Sequence, residues 1–201
     1  MIQYYTNFRV LLNTTMSTLP EVPPLQVWRG ALLLADFILQ DLERWKDSTV
    51  VELGAGTGKL LLPLLSRCST NSSLNPPPSI AAGLAGIAAA RAARRVFITD
   101  RGEAILDNAV RNVVCNSHHA YSTTPLVRHL DWNESWPPAI AAHPVHGWGE
   151  EEVREASEAN VVLAADVVYS EEITDAFFGM LSHLMPAGSC AVTIQKQRAS
   201  W

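Results

Sequence analysis

The chain has 201 residues, 48% of them apolar, enough for one domain with a buried core. Its net charge of −5 argues against a broad nucleic-acid footprint, and Arg91, Arg94 and Arg95 form the only dense basic patch. Three scattered cysteines, Cys68, Cys115 and Cys190, show no C-x-x-C spacing, which suits a reducing compartment and offers no disulfide framework and no zinc site.

Residues 1–24 are polar and proline-punctuated and read as a flexible arm ahead of a domain spanning 25–201. No basic segment precedes a long apolar stretch there, and no apolar run is long enough to span a membrane, so an intracellular, soluble chain is expected. Over 27–45 the apolar positions Leu32, Leu33, Leu34, Phe37, Ile38, Leu42 and Trp45 recur at helical spacing. The β-branched run 49–53 predicts a first strand, buried on both faces. Further strands are predicted at 95–100, 125–130, 160–166 and 189–195, with helices at 103–116 and 174–184. Strands alternating with helices mean α/β architecture on a parallel sheet, with the ligand beyond the carboxyl ends of the strands.

The first strand closes on Glu52 and breaks into Gly54, Gly56 and Gly58, the mark of a loop whose backbone approaches a ligand closely. A dinucleotide fingerprint needs its third glycine at position 59, where Lys59 stands. The pattern E-x-G-x-G-x-G resembles the loop of S-adenosylmethionine (SAM) methyltransferases. Taken alone it also fits another nucleotide or a structural turn. An acid is expected ~20 residues beyond such a loop, yet Asp100 lies 46 beyond Gly54. Removing residues 59–83 leaves 21 and joins Gly58 to Leu84 as a smooth loop-to-helix transition. Residues 59–83, with their serine, asparagine and proline tract, therefore read as an insertion of the kind unspliced sequence leaves. The helix after the glycines is then carried by 80–94, although 60–66 also has the pattern to start one.

Three further pieces complete a set: Gln26-Val27-Trp28-Arg29-Gly30-Ala31 before the first strand, Leu130-Asp131-Trp132 after the third and Asp166-Val167-Val168-Tyr169 after the fourth. With the glycine loop and Asp100, the chain resembles the seven-strand SAM-dependent protein-lysine methyltransferases, the methyltransferase-like 21 group with its D-x-x-Y motif. The run Q-V-W-R-G-A-L-L-L-A-D and the N-S-H at 116–118 point to one member within it. The resemblance implies a Rossmann-like seven-strand sheet in three αβα layers, here lacking its last two strands because the chain stops at Trp201. It implies SAM bound by Trp28, Glu52, Gly54, Ala55, Gly56, Asp100, Asp131, Trp132 and Ala165. Glu52 has two readings, a contact to the methionine ammonium or a brace for the loop. Asp166 is expected to orient the incoming amine and Tyr169 to wall a lysine channel, against the alternative that Asp166 merely caps a helix. Glu171 and Glu172 suit a basic substrate segment but also a solvated turn. The histidines show no metal-site spacing, and the loop 136–148 is where substrate contacts are expected.

The function these residues imply is methyl transfer to a lysine of a protein substrate, in a nuclear or cytoplasmic setting, with a nuclear nucleic-acid-binding protein as the substrate the resemblance suggests. No membrane and no direct nucleic-acid partner are expected. A methyltransferase for another acceptor keeps the cofactor, though D-V-V-Y differs from the N-P-P-Y type of RNA base enzymes. A catalytically impaired fold kept as a binding partner is the other class, favoured by the insertion at the cofactor loop and by an exposed fifth strand. An NAD oxidoreductase is disfavoured by Lys59.

Overall fold

The computed structural model describes residues 2–5, 8–11, 29–56, 82–117 and 121–194. Ile2–Tyr5 (β1) and Phe8–Leu11 (β2) pair antiparallel. The arm expected at 1–24 thus begins with two strands. The β-favouring Ile2, Tyr4, Tyr5, Phe8 and Val10 all precede the first proline, Pro20, so the punctuation bears only on the later part of the arm. Arg29–Gln40 (α1) is followed by a 3-10 turn, Leu42–Trp45, that buries Trp45, where one continuous helix was expected. Then come Thr49–Leu53 (β3), Leu84–Ala89 (α2), Arg95–Asp100 (β4), Glu103–Cys115 (α3) and Leu126–His129 (β5). Glu150–Ser157 (α4), Val161–Ala165 (β6), Glu171–Leu184 (α5) and Cys190–Ile194 (β7) complete the order.

Five strands form one parallel sheet in the order β5-β4-β3-β6-β7. Side chains on a strand alternate between faces, and the alternation divides the core into two layers. Val50, Val96, Ile98 and Leu163 face α1, α2 and α3, meeting Leu34, Ile38, Leu106 and Ala109. Val51, Leu53, Phe97 and Val162 face the other way, onto Phe177, Met180, Leu181 and Leu184 of α5 and Ala156 of α4. The result is the three-layer αβα arrangement, with strand order turning outward on both sides of β3. Each of those α5 anchors contributes about 1.5–3 kcal/mol of apolar burial, so this helix is held by packing. The edge strand β7, expected to be bare, has β2 alongside it. Among the described residues no helix is long and apolar enough to cross a membrane.

Two helices depart from expectation for local reasons. Residues 60–66, 80 and 81 lie outside the described residues. Of the rest of the expected 80–94, helix α2 covers 84–89, because Gly83 sits at φ 75° before it and the backbone amides of Arg94 and Arg95 donate to Ser48 O after it. The chain turns straight into β4. Helix α4 has too few apolar residues for periodicity to reveal it. Its signal is the run Glu150, Glu151 and Glu152 after Gly149, acids placed at the positive end of a helix dipole. Glu152 also accepts from Gly149 N at 3.0 Å and pairs with Arg128 through two hydrogen bonds, which hold its carboxyl below the usual carboxylate range.

Gly86 lets α2 lie close to the sheet. A Cβ there would sit 2.5 Å from Ile98 Cγ1 and 2.8 Å from Glu52 Oε2. Gly86→Ala should therefore cost a net ~1–2 kcal/mol, the overpacking outweighing the helix-propensity gain of up to about 1 kcal/mol. Urea unfolding measures it, and an unshifted or raised midpoint would show that α2 does not rest on Ile98.

Candidate active site

The glycine loop is fastened by backbone bonds at the carboxyl ends of β3 and β4. Gly54 and Ala55 both donate to Thr99 O, at 3.1 and 2.9 Å, and Thr99 Oγ1 donates to Glu52 O at 2.7 Å. Gly54 and Gly56 have φ values of 72° and 77°, a region that favours glycine. Asp100 holds the loop from the side. Its carboxylate accepts from Gly56 N at 3.0 Å, Arg101 N at 2.8 Å and Gly102 N at 3.3 Å.

Trp132 leans over this loop. A Cβ at Gly54 would lie 2.9 Å from Val167 Cγ1 and 3.2 Å from Trp132 Cζ2, so the indole edge rests on bare backbone. Phe177 meets the indole edge-on with ring centroids 5.5 Å apart. Beside it Asp131 accepts from the Asn133 backbone and side-chain amides, both at 3.0 Å, and stands 3.9 Å from Arg101. Partial burial opposes its charge, but the Asn133 hydrogen bonds, then Arg101 and His129, hold its carboxyl below the usual range.

Opposite lies the end of β6. Asp166 has φ 54°, unusual for a residue with a side chain, and its amide donates to Ile194 O at 2.8 Å. Its Oδ2 accepts from Gly30 N in the first turn of α1 at 2.8 Å. Tyr169, three residues on, is half-exposed. Between these walls is a cavity of about 470 Å³, within the range of small-molecule sites. Gly54, Gly56, Asp100, Trp132, Asp166 and Tyr169 all line it, as do Asp131 and Ala165.

Residues 81–200, more than half of the chain, match the family model described as lysine methyltransferase. The chain belongs to this lysine methyltransferase family. It is similar to methyltransferase-like protein 22 of Homo sapiens, 36% identical over 178 residues that cover 87% of this chain and 38% of that one. That protein is the member to which the Q-V-W-R-G-A run points. Protein N-lysine methyltransferase METTL21A of Danio rerio is 29% identical over 158 residues, covering 79% of this chain and 54% of the relative. Protein-lysine N-methyltransferase EEF2KMT of Mus musculus is 26% identical over 158 residues, covering 75% and 36%. The chain thus spans about two fifths of the length of the first of these relatives.

Two candidate cofactor residues of this family member lie under the cavity and do not line it. Ala55 is buried in the core, and its carbonyl accepts from Gly83 N at 3.1 Å. Glu52 is buried, with Oε2 accepting from Gly86 N at 2.9 Å and a further bond from Ala85 N. It serves as the cap that Gly83, lacking a side chain, cannot provide. Trp28 lies outside the described residues. Sequence reasoning missed Arg101, Gly102, Ile105 and Asn133, which also line the cavity. The start of α3 follows Asp100 directly, so the strand-end rule could have found the first three.

The loop 136–148 packs inward at its two ends and at His146, while Ile140 and Val145 between them are exposed. Trp148 is buried, stacks near Phe97 with centroids 5.3 Å apart and donates to His129 O at 2.7 Å, while Trp136 donates to Ser157 Oγ at 3.1 Å. Two indoles gain more from apolar burial than from solvent. His129, His143 and His146 gather there, with ring centroids 5.1 and 5.4 Å apart in succession, and His146 Nε2 bonds Asp107 at 3.1 Å. Among the described residues no group of acids, histidines or cysteines is arranged to hold a metal ion. Arg94 and Arg95 of the basic patch pair with Glu155, at 3.9 and 2.7 Å.

Burial pushes the Glu52 carboxyl up to about 7, against the two amide hydrogen bonds, and the nearby Asp100 adds to the rise. The folded state therefore holds this proton more tightly than the unfolded chain. The stability it brings is complete below about 4.5 and is lost as pH rises through about 7. The deficit of Glu52→Gln against the parent should be larger at pH ~5 than at pH ~8, by on the order of 2–3 kcal/mol. Urea titrations at the two pH values test this, and a gap that stays constant would refute it.

Proposed function

We propose that the chain transfers a methyl group from SAM to the side-chain amine of a lysine in a protein substrate. One observation carries the reading: Asp100, Trp132 and Asp166, from the ends of three different strands, line one cavity above the glycine loop. The cofactor supplies a methyl group on a sulfonium, from which a neutral amine displaces a thioether in line, the C–S electron pair passing to sulfur as the C–N bond forms.

The residues fit that group. Gly54 offers backbone without a side chain where the methionine end would pass. A carboxylate has about four acceptor directions, and three at Asp100 are taken by backbone amides. One direction is left for a ribose hydroxyl, and the 3.3 Å bond from Gly102 is the weakest to yield a second. The Trp132 indole covers adenine and keeps water out, with Asp131 beside it to receive the adenine amine. Ala165 and Gly56, which also line the cavity, would help to hold the bound cofactor. Glu52 and Ala55 support the loop from beneath, and Trp28 borders the cofactor as the sequence resemblance implies.

Asp166 and Tyr169 act on the acceptor. Their oxygens align the amine and favour loss of its proton to solvent before attack, while the tyrosine ring walls the channel and attracts the cation. The names of METTL21A and EEF2KMT as lysine methyltransferases of proteins support a protein acceptor. That acceptor is a nuclear nucleic-acid-binding protein in this reading, and the chain works in the nucleus or cytoplasm. Residues 59–83 are an insertion in this reading, which the start of α2 at Leu84 supports; the family match takes in residues 81–83 and Gly83 N bonds Ala55 O, which favour a far boundary just before residue 81. With them removed, Gly58 takes the place of Gly83 at the head of α2.

Calorimetry with SAM tests both points. The parent and a form lacking residues 59–83 should bind alike, and Asp100→Ala should weaken each by about 10–100-fold, the worth of a lost charged hydrogen bond. Absence of binding by both folded forms would sink the cofactor reading. Binding by the shortened form alone would mean that the insertion obstructs the site.

A further inference from the structure

The bond between Gly30 and Asp166 joins residues 136 apart in sequence, and it leaves no room for a side chain at position 30. A Cβ there would stand 2.5 Å from Asp166 Oδ2, 2.8 Å from Cγ and 3.1 Å from Oδ1. All three carboxylate atoms are in the way, so turning the carboxylate about its own axis relieves nothing. Asp166 would have to swing as a whole. We infer that Gly30 is a positioning residue for methyl transfer: by lacking a side chain it lets a first-turn amide of α1 clamp the Asp166 carboxylate at the wall of the cavity.

Three further observations support the clamp. Asp166 is held in the left-handed region at φ 54°, and a non-glycine residue stays there only when its surroundings fix it. Two of the bonds that fix it are its own amide to Ile194 O in β7 and the bond from Gly30. The donor is itself immobile, because α1 is anchored in the core through Leu34, Ala35 and Ile38. Amides of a helix's first turn have no intrahelical partner and carry the positive end of the dipole, so they favour an anion. The clamp thus sets the place of the one carboxylate that meets the cavity from β6. A carboxylate so held is matched to a cation in the cavity, first the sulfonium and then the methylated ammonium.

This role rests on the proposed use of SAM, and the experiment separates the two. S-adenosylhomocysteine has a neutral thioether at the reacting position, whereas sinefungin carries an amine there that is charged at neutral pH. The ratio of their dissociation constants, measured by calorimetry on the full chain, reports the field at that point without any protein substrate. The parent should prefer sinefungin. Gly30→Ala should bind S-adenosylhomocysteine within about twofold of the parent but lose about tenfold of the preference. Asp166→Asn should lose a similar amount, and the double variant little more, because both changes remove one interaction. If Gly30→Ala keeps the parent's preference, or weakens both ligands equally with a lowered melting temperature, the positioning role is wrong. If the parent binds neither ligand, the cofactor reading fails and this role falls with it.

Discussion

A buried carboxylate against the amides of a short helix is the contact on which the rest of the site depends. Glu52 is the penultimate residue of β3, and its Oε2 receives the Gly86 amide in the first turn of α2. The helix has six residues, too few to stand without outside support. Its start is held to the strand by Glu52 and by the bond between Gly83 and Ala55, and its flank by the absence of a side chain at Gly86. The glycine loop lies directly on this assembly. If α2 moved, Gly54 and Gly56 would lose the floor that keeps their amides aimed at Thr99 O and Asp100.

The same chemistry recurs around the cavity. Asp100 receives the amides of Gly56, Arg101 and Gly102, and Asp166 receives that of Gly30. Each acid sits at the end of a strand or the start of a helix, where backbone donors have no partner of their own. In an acidic chain these carboxylates are therefore not simply surface charge. They join successive βα units where the ligand space opens, so disturbing one acid alters both a fold contact and the lining of the cavity.

Much of this was legible in the sequence. Valine-rich apolar runs gave β3 and β6, and the glycine spacing with Asp100 gave the ligand side of the sheet. What escaped had physical reasons. Helix α4 carries too few apolar residues for periodicity and announces itself only through its acidic first turn. The strands at 2–5 and 8–11 were hidden by reading the proline-rich part of the arm onto all of it. The inward course of Trp136 and Trp148 could not be read because an indole suits a core and a ligand wall equally well. Nor could spacing tell which acids line the cavity. Glu52 and Asp100 lie at or next to the ends of neighbouring strands, yet Glu52 points beneath the loop and Asp100 borders the opening.

The bond between Gly83 and Ala55 has a consequence for how such chains diverge. It brings Ala55 and Gly83, on either side of the segment 57–81, next to one another. The entropic cost of closing a loop between fixed ends rises only with the logarithm of its length, about 0.6 kcal/mol for each doubling. Residues can then be gained or lost at this point while the strand ends on either side keep their places. Between Gly56 and Asp100 the chain makes a long detour, yet the amide of one and the carboxylate of the other are 3.0 Å apart. Distance along this polypeptide has been uncoupled from distance in space where a ligand would be held.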